Sequence, residues 1–265
     1  MLQELAQWPV DNVAGALIGP GGVTETLGDT SRAFALASVT KPLVASAVLV
    51  AVEEGAVELE TPAGPPGSTV AHLLSHASGL AFDSRDQIAE VGTQRIYSSA
   101  GFELLAETVE QATGIDFPDY LAAAVAEPLG MSTTTLDGPA GHGATSCVDD
   151  LARYAVDLLA PTIVAPETML RARSVWFPGL DGFVPGYGRH KPCDWGLGFE
   201  IRDHKSPHWT APSSAPTTFG HFGQSGTFLW VDPVREIGCV VLTDRAFGPW
   251  AKPLWSEFNE SLYSR

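Results

Sequence analysis

The stretch from Val39 to Glu54, VTKPLVASAVLVAVEE, constrains the fold more than any other part of this chain. Its Ala, Val and Leu residues leave almost no polar face, and it stops at Gly55, which reads as a helix buried in the centre of a fold. The apolar run inside it, from Pro42 to Val52, is too short for a bilayer, which needs about 20 residues as a helix. A helix buried in a folded globular protein is therefore expected. With 265 residues, 45% of them hydrophobic, the chain can bury such a core as one large domain or as two lobes sharing an interface.

Strands are predicted near both chain ends. Val13 to Ile18 and Val23 to Leu27 are short β-type runs joined by Gly19-Pro20-Gly21-Gly22, which reads as a hairpin. Trp195 to Ile201, Thr227 to Val231 and Ile237 to Thr243 also read as strands, with a turn at Asp232-Pro233 and Arg235-Glu236 between the last two. Helical patterns lie between the two sets. One starts at a Ser68 or Thr69 cap and runs to about His76; GFELLAETVEQATG and FPDYLAAAVAEPLG each end in a Gly suited to a left-handed cap; another spans Asp149 to Leu159. The expected class is α/β in the α+β sense, a single domain over 1–265. One sheet lobe comes from the two termini, 1–38 and 190–265, and a mainly helical lobe, 39–189, is inserted between them. Phe177 to Tyr187 and His204 to Pro216 read as long loops over a site.

Fifteen Lys plus Arg against 31 Asp plus Glu leave a net charge of −16, which argues against nucleic acid as a partner, since neutralising phosphates needs clustered cations. The opening MLQELAQWPV holds Glu4 and no basic cluster ahead of an apolar stretch, so no secretory signal and a cytoplasmic location are expected. Cys147, Cys193 and Cys239 are odd in number and lack a C-x-x-C pair, so they read as core thiols.

Ser38-Val39-Thr40-Lys41 sets a hydroxyl and an amine three residues apart at the start of the apolar helix, on one face and within mutual reach. Serine is a poor nucleophile until a neighbour takes its proton, and lysine can do so only when burial or nearby cations lower its pKa. The apolar surroundings supply that burial. The helix start also offers the Ser38 N–H to an oxyanion. A capping serine with a surface lysine is the plainer account, but an almost wholly apolar helix is a poor site for a solvated lysine.

Ser38-Val39-Thr40-Lys41, Leu73-Leu74-Ser75-His76-Ala77-Ser78-Gly79-Leu80, Tyr97-Ser98-Ser99, Glu127-Pro128-Leu129-Gly130-Met131 and His221-Phe222-Gly223, in this order, resemble the serine β-lactamase and penicillin-binding-protein superfamily. The branch of class C β-lactamases and their esterase and D-aminopeptidase relatives is the nearest in pattern, over roughly residues 13 to 245. The resemblance implies a β-lactamase/transpeptidase-like fold, an antiparallel sheet flanked by helices plus a helical lobe. It implies a serine hydrolase that forms an acyl-enzyme on Ser38 from an ester or amide. Lys41 matches the lysine that helps deprotonate the serine, and Tyr97 the tyrosine that assists as a phenolate or through a shared proton network. His221, Phe222 and Gly223 match the strand across the cleft, and Gln224 would give the second oxyanion N–H. No metal or organic cofactor is implied, and the partner is a small-molecule or peptide acyl substrate.

Ser99 stands where the family usually has Asn, His221 where it often has Lys, and Phe222 where many β-lactamases carry a hydroxyl. These changes weaken the grip on a substrate carboxylate, so acyl transfer with poor β-lactamase efficiency is expected. They also favour the rival reading, a non-catalytic binding or sensor protein that keeps the fold. The length is compact for the superfamily and implies an open cleft, which together with the acidic surface suits a neutral or cationic ester or small amide.

Other patterns in the sequence carry less. His72 and His76 have zinc-pair spacing, but Leu73 stands where a metalloprotease needs Glu, so a structural role is expected. His204 and His208 read as a surface pair. Gly223-Gln224-Ser225-Gly226 falls short of a nucleophile elbow at Thr227. Among Trp195, Trp209, Trp230, Phe219 and Phe222, Phe222 is the foremost candidate for a pocket wall.

Overall fold

The computed structural model describes residues 1–263. In chain order its strands are β1 (Val13–Gly19), β2 (Gly22–Leu27), β3 (Phe34–Ala35), β4 (Thr135–Leu136), β5 (Ala144–Ser146), β6 (Gly182–Val184), β7 (Gly188–His190), β8 (Glu200–Ile201), β9 (Phe219–Gly223), β10 (Thr227–Asp232) and β11 (Ile237–Thr243). The main sheet has the order β2-β1-β11-β10-β9-β8, so the two ends of the chain meet where β1 pairs β11. Each of its pairings is antiparallel.

Alternation along the strands gives the sheet two apolar faces. Leu229 and Val231 of β10 and Val240 and Leu242 of β11 join one core, while Phe228, Trp230, Cys239 and Val241 join the other. The first core contains α1 (Thr40–Glu53), in which every residue from Thr40 to Leu49 is buried. The second is covered by the N-terminal turn Leu2–Gln7 and the C-terminal helix, which place Leu5, Trp255 and Phe258 on the sheet. The remaining helices are α2 (Val70–Leu74), α3 (Ala100–Thr113), α4 (Phe117–Leu121), α5 (Val148–Leu159) and α6 (Pro166–Ala172), with α7 (Ala251–Ser261) the one at the C-terminus. Gly114 and Gly130 adopt φ of 72° and 65°, the left-handed caps their positions require. The three cysteines are buried free thiols. Among the described residues no helix is long and apolar enough to cross a membrane.

Three expectations change. The strand read over Trp195 to Ile201 contracts to Glu200–Ile201, because Gly198 takes φ 87° and turns the chain against α1, where a Cβ would lie 2.0 Å from Ala45 Cβ. The segment after α4 widens into a π-turn over Ala122–Ala126 in place of a continuous helix. The two stretches read as loops carry local order: Gly182–Val184 pairs with Gly188–His190, and His208 is buried, unlike the exposed His204.

Arg95 ties the helical segments to the loops around them. Its buried guanidinium donates to the carbonyls of Ser75 (2.6 Å), Cys193 (3.0 Å), Trp176 (2.8 Å) and Phe177 (3.2 Å). Arg95→Met would leave those carbonyls short of a donor, at roughly 1–3 kcal/mol for each one that finds no substitute. The expected result is a loss of about 3–5 kcal/mol in urea unfolding. A loss under about 1 kcal/mol would show that water or rearrangement replaces the clamp.

Candidate active site

Ser38 sits in a 3₁₀ turn, Ala37–Val39, that leads into α1. The turn is held from two sides: Leu36 donates its N–H to Ala144 O (2.9 Å), and its carbonyl accepts from Thr227 Oγ1 (2.9 Å). Ala37 adopts φ 47°, a left-handed conformation unfavourable for a residue with a Cβ, which the surrounding bonds enforce just before the serine. Across the turn lies Gly223 of β9. A Cβ there would meet Leu36 O at 2.2 Å and Thr227 Oγ1 at 2.5 Å, so only glycine lets β9 approach the serine turn this closely.

Lys41, one helical turn on, is fully buried, with Nζ 3.3 Å from Ser38 Oγ, 3.1 Å from Ser99 Oγ and 2.7 Å from Gly141 O. Burial lowers its pKa from the usual lysine range to about 7, while the Glu103 carboxylate opposes the shift. A neutral amine has two N–H donors and one lone pair. Ser99 and Gly141 occupy the donors, which leaves the lone pair for the Ser38 O–H. Gly141 can take this position because its backbone lies against Ser99, where an added Cβ would come within 2.8 Å of Ser99 Cβ.

Tyr97 comes from the loop before α3. Its Oη lies 3.3 Å from His221 Nε2 on β9, and its ring lies 4.6 Å from Lys41 Nζ. His221 Nδ1 is 2.7 Å from Phe222 O, a geometry that puts the imidazole proton on Nδ1 and leaves Nε2 to accept from the phenol. Burial, reinforced by Lys41, lowers the His221 pKa to about 3, so the ring is neutral. Burial raises the Tyr97 phenol above its ordinary value, and a hydrogen bond with Ser38 offsets part of this. The phenol is therefore protonated at rest and sits between the serine hydroxyl and a neutral imidazole.

These groups open onto a cavity of about 300 Å³. Ser38, Tyr97, His221 and Gln224 line its reactive side; Phe82, Pro185, Trp195 and Phe222 make the apolar walls, and Glu200 lies at the boundary. Phe82, 53% exposed, stands at the mouth with its ring 5.9 Å from that of Tyr97. Behind the wall Glu200 accepts from Trp209 Nε1 (2.8 Å) and His208 Nε2 (3.1 Å), with Lys205 Nζ at 3.4 Å. Burial works against a charged Glu200, but Lys205, His208 and these hydrogen bonds hold it well below the usual carboxylate range. No lysine or arginine lines the cavity among the described residues.

The structure thus gathers Ser38, Lys41, Tyr97, Ser99, His221, Phe222, Gly223 and Gln224 around one point. Ser99 faces Lys41 and not the cavity. Trp195 joins Phe222 on the wall, whereas Trp209, Trp230 and Phe219 are core residues. β9 is covered by β8 only along Phe219 and Gly220, so the edge from His221 to Gly223 is open, and the chain turns at Gln224-Ser225 before β10. His208, read as a surface residue, is buried against Glu200. Gly141, Glu200 and Phe82 had no motif to mark them. His72 stacks on Phe177 (4.2 Å) and bonds Thr69 (2.9 Å), away from any ligand set. Among the described residues no group of three His, Cys, Asp or Glu could hold a metal ion.

The chain is similar to known proteins over most of its length. The chain is 58% identical to a β-lactamase from Mycobacterium bovis whose crystal structure superposes with a TM-score of 0.98, over 99% of this chain and 98% of that one. It is 24% identical to esterase EstB of Burkholderia gladioli, over 88% of this chain and 82% of that protein. It is 27% identical to penicillin-binding protein 4* of Bacillus subtilis, covering 58% of this chain and only 41% of that protein. The β-lactamase family profile matches residues 23–258. With the serine turn, the buried lysine and the open edge of β9 in one cleft, this chain belongs to the β-lactamase family of serine hydrolases.

Proposed function

We propose that this chain cleaves esters or small amides of uncharged or cationic acyl groups through an acyl-enzyme on Ser38. The observation that carries the reading is the Ser38 hydroxyl set against a buried Lys41 at the floor of an apolar cavity that no lysine or arginine lines among the described residues. In the first step neutral Lys41 takes the Ser38 proton while Oγ bonds to the substrate carbonyl carbon. The carbonyl oxygen becomes an oxyanion, and the N–H groups of Ser38 and Gln224 are the donors for it. Collapse breaks the bond to the leaving group, which takes a proton from Lys41 directly or by way of the Tyr97 hydroxyl. Water then adds to the acyl-Ser38 ester, gives its proton to the same network, and restores the serine.

The raised Tyr97 pKa supports a shared proton network over a resting phenolate. Neutral His221 and Phe222 support the substrate assignment, since neither can pair with a carboxylate. The esterase relative points the same way.

The test compares a p-nitrophenyl ester with nitrocefin and with a peptide ending in D-alanine. The ester should turn over with kcat/KM at least about 100-fold above nitrocefin, roughly the 2.7 kcal/mol that a missing charge-assisted contact represents. Nitrocefin turnover matching the ester would refute the substrate assignment. A fluorophosphonate adduct on Ser38 is expected by mass spectrometry, whereas a non-catalytic binding protein would give none.

A further inference from the structure

The Leu73 to Leu80 motif contains a residue that the acyl-transfer steps above do not use. His76 follows α2, is 1% exposed, and holds φ 58°, a left-handed conformation in which Asn, Asp and His are enriched among residues with a side chain. From this position it holds the segment 96–98 at three points. Its carbonyl accepts the N–H of Ile96 (2.9 Å), its ring Nδ1 accepts the N–H of Ser98 (3.1 Å), and its ring packs on the Tyr97 ring at 4.6 Å. Both chain neighbours of Tyr97 are therefore hydrogen-bonded to one residue, which also backs the phenol ring.

We propose that His76 is a positioning residue that holds the Tyr97 phenol at the distance and angle needed beside Ser38; this rests on the reading of Ser38 and Tyr97 as acyl-transfer groups. In the left-handed conformation the His76 carbonyl reaches Ile96 while its ring reaches Ser98, the residues before and after Tyr97 in the chain. With Nδ1 accepting, the ring proton lies on Nε2, which is buried without a hydrogen-bond partner among the described residues, and the ring is flanked by those of Trp195 and Phe102, whose centroids lie 4.6 and 5.3 Å from its own. A histidine kept for stability alone would gain from a partner at Nε2. Here the ring serves the loop on its Nδ1 side at the expense of the other nitrogen. A protonated ring would point a second N–H at the Ser98 N–H and break the strut. The charged or titratable groups around the ring, Lys41, His221 and Arg95, all oppose that protonation.

Two variants separate positioning from bulk packing. Asn tolerates the left-handed conformation and offers a carbonyl oxygen near the place of Nδ1, whereas Leu offers neither. His76→Leu should lower kcat for a p-nitrophenyl ester about 100-fold, the scale of a 1 Å misplacement, with KM within about threefold. His76→Asn should recover to within about tenfold of the parent. Fluorophosphonate labelling of Ser38 should slow in parallel in His76→Leu. Unchanged kcat in His76→Leu, or equal impairment of both variants when both are folded, would overturn the proposal. Should His76→Leu fail to fold, ¹⁵N NMR of the unaltered protein decides: an unprotonated Nδ1 with a slowly exchanging Ser98 amide is expected, and a protonated Nδ1 overturns the strut. An unlabelled Ser38 in the parent protein removes the nucleophile reading itself, which sets that failure apart from one confined to His76.

Discussion

Ser38→Ala should lower kcat for a p-nitrophenyl ester by about 10⁴-fold or more and abolish the fluorophosphonate adduct. The magnitude follows from the route and not from binding. Without Oγ no acyl-enzyme can form, and water would have to attack directly. The cavity walls and the N–H groups of Ser38 and Gln224 remain in Ser38→Ala, so a residual rate of about 10³ over water is expected from them alone. KM should stay within a few-fold, because Phe82, Trp195 and Phe222 still hold the acyl group. Stability should change by less than about 1 kcal/mol, since the serine hydroxyl is only partly buried and its partners Lys41 and Tyr97 retain other bonds. Intact-mass spectrometry with peptide mapping checks the first claim and steady-state kinetics the second. An adduct that persists in Ser38→Ala would move the nucleophile elsewhere.

Lys41→Met should have the next largest effect, a fall of about 10³-fold in kcat/KM, within the range for loss of a positioned general base. Methionine keeps the length of the side chain and suits the apolar surroundings, so the loss can be read as chemistry. Two hydrogen-bond acceptors, Ser99 Oγ and Gly141 O, lose their donor, and the buried amine with its desolvation cost disappears. These effects oppose each other, and the net change in unfolding free energy should be under about 2 kcal/mol. The pH profile of the parent enzyme carries the sign. Burial depresses the Lys41 pKa to about 7, so below pH 7 the amine is protonated and cannot accept the Ser38 proton. kcat/KM should therefore fall tenfold per pH unit on the acid side of about 7 and level off above it. In Lys41→Met this acid limb should vanish. A limb centred near the ordinary lysine range, or one that survives the substitution, would assign the base to another group.

Much of the site can be read from local spacing. Ser38 and Lys41 lie one helical turn apart, so the periodicity of the α-helix alone brings them together, and the apolar run that follows already announces that the lysine is buried. The terminal strands and the caps at Gly114 and Gly130 are equally local, which is why they match the expectation. The strand at Trp195 did not match, because an apolar run with Gly196 and Gly198 reports burial and not conformation; packing against Ala45 decides it. His208 shows the same failure in reverse. Its Pro-rich surroundings look like a surface loop, yet Glu200 pulls it inward.

What the sequence by itself determined is the central buried helix, the serine and lysine paired at its start, and the strands near both chain ends. Only the tertiary structure decided what surrounds that pair. Lys41 meets Gly141 across 100 residues and Tyr97 meets His221 across 124. It also showed that Ser99 faces the lysine and that, among the described residues, no lysine or arginine lines the cavity. His76 belongs to this second group, since its partners at Ile96 and Ser98 become visible only when the two loops lie side by side. The reason is physical: periodicity along a chain reveals which face of an element is buried, while the identity of the atoms it is buried against depends on how distant segments pack.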